Sequence, residues 1–188
     1  MKRIIMHWSA GAHRVSDADR EHYHGGVDGQ GARFLGIHKP EANRNPRTGQ
    51  YAAHTRALNT GSVGLALCAM RGAVERPFDP GPDPITPVQL KEFVSMVAEY
   101  AITYDIAVTR RTILTHAEVQ PTLGVWQRGK WDINWLPGLG APIDPLATGD
   151  RLRAMVMAEI NKTHAPAISI PFMGQRRTVR PTPRGGQR

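Results

Sequence analysis

The chain has 188 residues, of which 40% are hydrophobic and 21% charged, which suits one folded domain with a single core. Its apolar runs fall well short of the roughly 18 to 20 residues that a membrane-spanning helix needs, so we expect no membrane insertion. A single cysteine, Cys68, excludes an internal disulfide, and the first apolar run is too short for an export signal. These features predict a soluble domain made in a reducing cytoplasm.

The formal net charge of +8 is concentrated near the C-terminus. Five arginines lie there, with no acidic residue after Glu159: Arg176, Arg177, Arg180, Arg184 and Arg188. We therefore predict a domain over residues 1–173 and a basic tail rich in Pro, Gly and Arg over residues 174–188. Such a tail favours polyanions, but a nucleic-acid groove would also interleave aromatic and basic residues. We therefore expect that no nucleic acid is required.

The first 60 residues predict a strand, a short helix, a hairpin and a loop. Residues 2–7 predict a strand that ends at His7, and Ser16 predicts the cap of one or two helical turns. Residues 27–31 predict a hairpin turn. The segment 38–60 is rich in Pro, Asn, Arg and Gly and is too irregular for a simple connection, which favours a functional surface loop.

Residues 62–68 predict a central strand, because large and small apolar residues alternate along them. The face made of small residues is typical of a strand against which a helix packs closely. Downstream, residues 112–115 predict a third strand, followed by a long Trp-rich loop that reaches Pro137. Residues 150–161 predict a final helix.

The longest helix is predicted to begin at Pro87. Thr86 is a capping residue, Pro87 suits the first helical position and Gln89 completes a capping box. The apolar spacing that follows predicts a helix that runs to about Tyr104. Alternating strands, helices and long loops predict an α/β domain with a central mixed sheet flanked by helices.

Two histidines and one aspartate are the strongest candidates for chemistry. His7 and His116 each follow or end a predicted strand, and Asp132 lies in the Trp-rich loop. Two imidazoles and one carboxylate suit Zn²⁺, whose catalytic sites keep three protein ligands and one open position for water.

Four segments in this order resemble the type-2 N-acetylmuramoyl-L-alanine amidases, a family that shares its fold with the peptidoglycan recognition proteins and phage lysozyme-type amidases. The segments are Ile5-Met6-His7-Trp8-Ser9-Ala10, His54-Thr55-Arg56 with Asn59-Thr60-Gly61-Ser62-Val63-Gly64, Leu114-Thr115-His116-Ala117-Glu118-Val119, and Lys130-Trp131-Asp132. The resemblance covers about residues 4–137 and implies that same α/β amidase fold.

The resemblance implies a zinc hydrolase that cuts the amide between N-acetylmuramic acid and the L-alanine of the peptidoglycan stem peptide. It implies that His7, His116 and Asp132 are the zinc ligands. In this family the third ligand is Cys or Asp, and a catalytic Lys stands two residues earlier, as Lys130 does here. Lys130 is then expected to stabilise the oxyanion of the tetrahedral intermediate.

The family also places a Tyr or Glu opposite the metal, where it orients or deprotonates the attacking water. Tyr23 matches this position, before a predicted turn. Glu41 and Glu118 are the competing carboxylates, and we rank both below Tyr23.

Substrate contacts are also implied by the resemblance. His54 and Asn59 resemble residues that hydrogen-bond the muramoyl group or the peptide amides. Trp126, Trp131 and Trp135 are candidates for apolar walls beside the sugar, because aromatic faces suit sugar CH surfaces. Packing around the ligand loop is the alternative for these tryptophans.

The expected partner is peptidoglycan, and we expect a monomer. A phage or prophage endolysin fits best, made in the cytoplasm and released to the wall through a holin-type pore. A cytoplasmic wall-recycling amidase and a non-catalytic peptidoglycan-binding module of the same fold are the alternatives.

Overall fold

Five strands form one mixed sheet in the computed structural model, which describes residues 1–164. In chain order the strands are β1 (Arg3–Trp8), β2 (Gly25–Val27), β3 (Arg33–Leu35), β4 (Ser62–Leu67) and β5 (Ile113–Thr115). Their order across the sheet is β3-β2-β4-β1-β5. Only the β2–β3 hairpin is antiparallel within this sheet. The predicted α/β class with a central mixed sheet is therefore confirmed.

Four α-helices and two short 3-10 helices complete the described chain. The α-helices are α1 (Asp17–His22), α2 (Pro87–Thr103), α3 (His116–Leu123) and α4 (Pro145–His164). The 3-10 helices, Pro40–Arg44 and Pro46–Thr48, lie in the long segment 38–60. Within residues 1–164, no helix combines the length and apolarity that a bilayer crossing requires. The predicted tail and its boundary at residue 173 lie outside the described residues.

Strand β1 separates the main core from the face that carries the site. Ile4 and Met6 point into the large core, together with apolar residues of β4, α2 and α4. Ile5 lies on the opposite face, in a second cluster with Leu114 and Val119. Side chains alternate along a strand, so His7 lies on the same face as Ile5.

The small-residue face of β4 lies beside His7, because Gly64 pairs with Ile5 and Ala66 with His7 in the parallel register. What packs closely here is the His54 ring, and a Cβ added to Gly64 would overlap that ring. The expectation that a helix covers this face was therefore wrong at this point. The irregular segment 38–60 covers this face instead, and its His54 imidazole packs directly against the backbone of Gly64.

Helix α2 confirms its predicted boundaries. The Thr86 hydroxyl accepts from the Gln89 amide, and the Gln89 side chain accepts from the Thr86 amide in return. The helix ends at Thr103 with Tyr104 as its C-cap.

The predicted Trp-rich loop was wrong at its start, because α3 begins at His116. A capping box between Thr115 and Glu118 starts this helix, despite Pro121 within it. Helix α4 begins at Pro145 rather than at residue 150. Its Gly149 does not end the helix but lets it pass close to Glu118, where a Cβ would overlap the carboxylate.

Candidate metal site

The sheet topology brings the two predicted histidine ligands to one edge. β1 and β5 are parallel neighbours, so their carboxyl ends lie side by side. His7 is the penultimate residue of β1, and His116 follows β5 as the first residue of α3. Asp132 reaches them from the loop after α3, whose backbone is tied to the helix by a hydrogen bond from the Ala117 amide to the Asp132 carbonyl.

The three side chains form a buried group that can hold a metal ion. The Asp132 Oδ2 atom lies 3.0 Å from His7 Nδ1 and 3.1 Å from His116 Nδ1. All three potential ligand atoms lie within 4.8 Å of one another. Two imidazole nitrogens and a carboxylate oxygen that converge in this way fit the donor set of a transition-metal site.

Gln127 orients His116 and was missed by the sequence analysis. Its Oε1 accepts from His116 Nε2 at 2.9 Å, which turns Nδ1 of this ring toward Asp132. Its Nε2 donates to the Arg56 carbonyl at 3.0 Å, which fixes the side chain between two loops. No sequence spacing reveals this role, because it depends on how the loops meet.

His54 and Thr55 surround the other nitrogen of His7. His7 Nε2 lies 3.3 Å from His54 Nδ1 and 3.4 Å from Thr55 Oγ1. When His7 uses Nδ1 as a ligand, its Nε2–H donates here, and a neutral His54 that accepts at Nδ1 carries its proton on Nε2. That Nε2 is buried without a hydrogen-bond partner among residues 1–164. His54 is therefore free to donate to a bound molecule.

The electrostatics of the group favour an ionised Asp132 and a neutral His7, two of the three protonation states that a metal needs. Burial lowers the pKa of His7 to about 4, so its imidazole is neutral at neutral pH. Burial opposes ionisation of Asp132, but without a metal the hydrogen bonds that His116 and His7 donate from Nδ1 outweigh it and lower the pKa of this carboxyl to about 2. Burial also opposes the charged form of His116, yet its contact with Asp132 raises its pKa overall. Metal ligation requires an ionised carboxylate and neutral imidazoles, so a metal that binds must displace the proton that Asp132 favours on His116.

A cavity of about 170 Å³ opens onto the buried group. Its lining includes seven of the predicted site residues: His7, Tyr23, His54, His116, Lys130, Trp131 and Asp132. The Tyr23 ring lies 5.2 Å from the His7 ring, between centroids, and burial raises the pKa of the Tyr23 hydroxyl. The structure thus places the three predicted metal ligands, Lys130, Tyr23, His54 and Trp131 around one cavity.

Asn59 does not line this cavity but supports His54, which does. Its Oδ1 accepts from the backbone amides of His54 and Thr55, at 3.1 and 2.9 Å. It also lines an adjoining cavity of about 340 Å³. In this structure, Asn59 shapes the turn that presents His54.

The two competing carboxylates are engaged elsewhere. Glu41 is exposed and accepts from the Tyr104 hydroxyl at 2.9 Å. Glu118 is fully buried, pairs with Arg153 and caps α3 through the Thr115 amide. Neither lines the cavity at the metal group. Of the three groups considered for orienting water, Tyr23 is the one beside the triad.

The three loop tryptophans separate into different environments. Trp131 lines the cavity and packs edge to face on Trp8, with ring centroids 4.6 Å apart. Trp135 is buried, and its Nε1 donates to the Leu139 carbonyl, so it belongs to the core. Trp126 is exposed outside the first cavity.

Comparison with known proteins gives no relative. No family model, no curated protein and no solved structure matches the chain. The geometry of the site therefore carries the functional inference.

Proposed function

We propose that this protein is a zinc-dependent N-acetylmuramoyl-L-alanine amidase with a peptidoglycan recognition protein-like fold. It hydrolyses the amide between N-acetylmuramic acid and the L-alanine of the stem peptide. The supporting observation is that one small cavity contains three convergent metal ligands together with Lys130, Tyr23 and His54.

Zinc suits the donor set of His7, His116 and Asp132, because catalytic zinc sites use three nitrogen, oxygen or sulfur ligands and keep one position open. When bound, zinc lowers the pKa of a coordinated water toward about 7 and polarises a carbonyl group. The protein's part is to hold Asp132 ionised, His7 neutral and His116 in the tautomer that Gln127 selects.

Lys130 supplies the positive charge for the reaction. It lines the cavity beside Asp132, and within the described chain its ammonium group forms no ion pair with a carboxylate. It is therefore free to stabilise the negative charge that develops on the scissile carbonyl oxygen. Donors in this role typically contribute about 3 to 4 kcal/mol to the transition state.

The remaining residues position the reactants. The Tyr23 hydroxyl orients the attacking water from the side of His7. The unpartnered Nε2–H of His54 donates to a carbonyl of the substrate. Trp131 offers an apolar wall to the sugar.

The setting that we propose is a phage or prophage endolysin that works as a monomer. Its substrate is a polymer outside the cytoplasmic membrane, so the protein reaches the wall through a holin-type pore after synthesis. Peptidoglycan and its muropeptide fragments are the partners.

The experiment that tests this function compares Asp132→Ala with the wild type on purified sacculi. We expect the variant to lose release of stem peptides while it still binds sacculi, because only the metal group is removed. Asp17→Ala is the matched control, since Asp17 is an exposed aspartate on α1 that should leave turnover unchanged. Normal hydrolysis by Asp132→Ala would show that the site is wrong. A zinc-loaded wild type that binds sacculi without cleaving them would be a binding module.

A further inference from the structure

We propose that Arg56 and Arg128, which lie over the Trp126 ring, form a subsite that binds a carboxylate of the peptide being cleaved. The inference rests on the proposed amidase function and adds a specificity to it.

The subsite lies in the cavity of about 340 Å³ that adjoins the metal group. The two cavities share His54, His116 and Lys130, so a substrate held at the metal group reaches both. The lining of the second cavity includes three cationic side chains, those of Arg56, Arg128 and Lys130, and no carboxylate. Its chemistry therefore selects an anion.

Both guanidinium groups lie over the Trp126 ring. Trp126 is 58% exposed, and the Cζ atoms of Arg56 and Arg128 lie 5.1 and 5.7 Å from the ring centroid. Stacking on an aromatic ring uses the face of a guanidinium group and leaves its N–H edge free. That edge matches a carboxylate through two parallel hydrogen bonds.

The two arginines also lack an acidic partner. Within residues 1–164, neither Arg56 nor Arg128 forms an ion pair, although four other arginines do: Arg33, Arg71, Arg110 and Arg153. Two guanidinium groups close to one indole ring concentrate positive charge at the mouth of this cavity, and that charge attracts an anion. A carboxylate is the ligand that this arrangement is missing.

The backbone holds the pair next to the reaction site. Gln127 joins the two loops, because its side chain bonds to both the Arg56 carbonyl and the His116 ring. Arg128 adopts a φ of 55°, in the left-handed region that non-glycine residues rarely occupy, which turns the chain just before Lys130. Gln127 therefore links the backbone of the subsite to the proposed metal ligand His116.

The position of the subsite identifies which carboxylate it binds. The lactyl carboxyl of the muramoyl group is already part of the scissile amide, so it carries no free charge. A carboxylate near this bond must lie on the peptide beyond the L-alanine. The protein should therefore prefer stem peptides whose carboxylates are free over those in which they are amidated.

The test compares two soluble substrates, N-acetylmuramoyl-L-alanyl-D-glutamate and the same compound with both carboxylates amidated. We expect the wild type to cleave the acid with a kcat/KM about tenfold higher, mainly through KM, as two charged hydrogen-bond donors allow. The double variant Arg56→Gln with Arg128→Gln should lose this preference, and added salt should weaken it in the wild type. Arg111→Gln is the matched control, because Arg111 is an exposed arginine near the opposite end of β5.

The outcomes separate this inference from the proposed function. Equal kcat/KM values for the two substrates, or a preference that survives in the double variant, would overturn the subsite and leave the amidase in place. If neither compound is cleaved, the assay on sacculi decides the amidase function, and equilibrium binding of the same two compounds decides the subsite. Tighter binding of the acid that depends on both arginines would support it, and equal or absent binding would overturn it.

Discussion

At the scale of single residues, Gly64 decides whether His54 can take its place beside His7. We expect Gly64→Ala to lower the free energy of unfolding by about 1 to 3 kcal/mol, because the new methyl group overlaps the His54 ring. Chemical denaturation of the metal-free protein measures this effect. Gly140→Ala is the control, since a Cβ there meets open space, and it should change stability by less than about 0.5 kcal/mol. Equal stabilities of the two variants would contradict the close packing of the His54 ring against Gly64.

Substitution of Gln127 tests how strongly zinc affinity depends on residues that contact the three ligands. We expect Gln127→Ala to weaken zinc binding by about 10- to 100-fold, because His116 loses the acceptor that selects its tautomer. Competition with a chelating dye measures the affinity. Gln127→Glu keeps an acceptor at the same place and should bind zinc more tightly than Gln127→Ala does. Unchanged affinity in the alanine variant would mean that Gln127 only closes the loop.

The residues that the sequence predicted for the site differ in kind from those it missed. His7 and His116 were predictable because each lies where a strand ends, and Lys130 because of its spacing from Asp132. Gln127 and Thr55 were not, because their contacts arise where two loops meet. Such contacts depend on the three-dimensional path of the chain rather than on any local pattern.

At the scale of elements, a buried ion pair joins α3 to α4. Glu118 and Arg153 lie 2.8 Å apart, between Oε1 and Nη2, and both side chains are almost fully buried. We expect Glu118→Ala to lower the free energy of unfolding by about 3 to 5 kcal/mol, because Arg153 is left buried with less compensation and α3 loses its cap. Urea denaturation is the measurement.

Glu159→Ala is the control for this pair, since Glu159 pairs with Lys162 on the more exposed side of the same helix. That variant should change stability by no more than about 1 kcal/mol. A Glu118→Ala protein that stays as stable as the wild type but loses turnover would instead assign Glu118 the catalytic role for which Tyr23 is proposed.

The start of helix α2 was predictable because a few adjacent residues specify it. Helix α2 begins at its predicted residue because Thr86, Pro87 and Gln89 form the cap without help from the rest of the chain. Helix α3 carries a similar capping box, which the sequence analysis missed, and Pro121 is unfavourable inside a helix. The start of α4 was missed because Gly149 reads as a helix breaker, whereas here it allows close packing on Glu118.

At the scale of the whole molecule, the alternation of strands and helices was enough to predict an α/β class but not the strand order. Pairing of β1 with β5 joins residues more than a hundred positions apart, and no local pattern specifies it. This pairing is nevertheless what creates the site, because it sets His7 and His116 side by side. The fold class follows from local periodicity, and the metal group follows from long-range topology.

The most direct test of the proposed function is to incubate the purified protein with muropeptides, with and without a zinc chelator, and to identify the new termini by mass spectrometry. We predict release of peptides with a free L-alanine N-terminus, a loss of this release on chelation, and its return when zinc is added back. Cleavage of any other bond, or release that persists without metal, would contradict the assignment of His7, His116 and Asp132 to a zinc amidase.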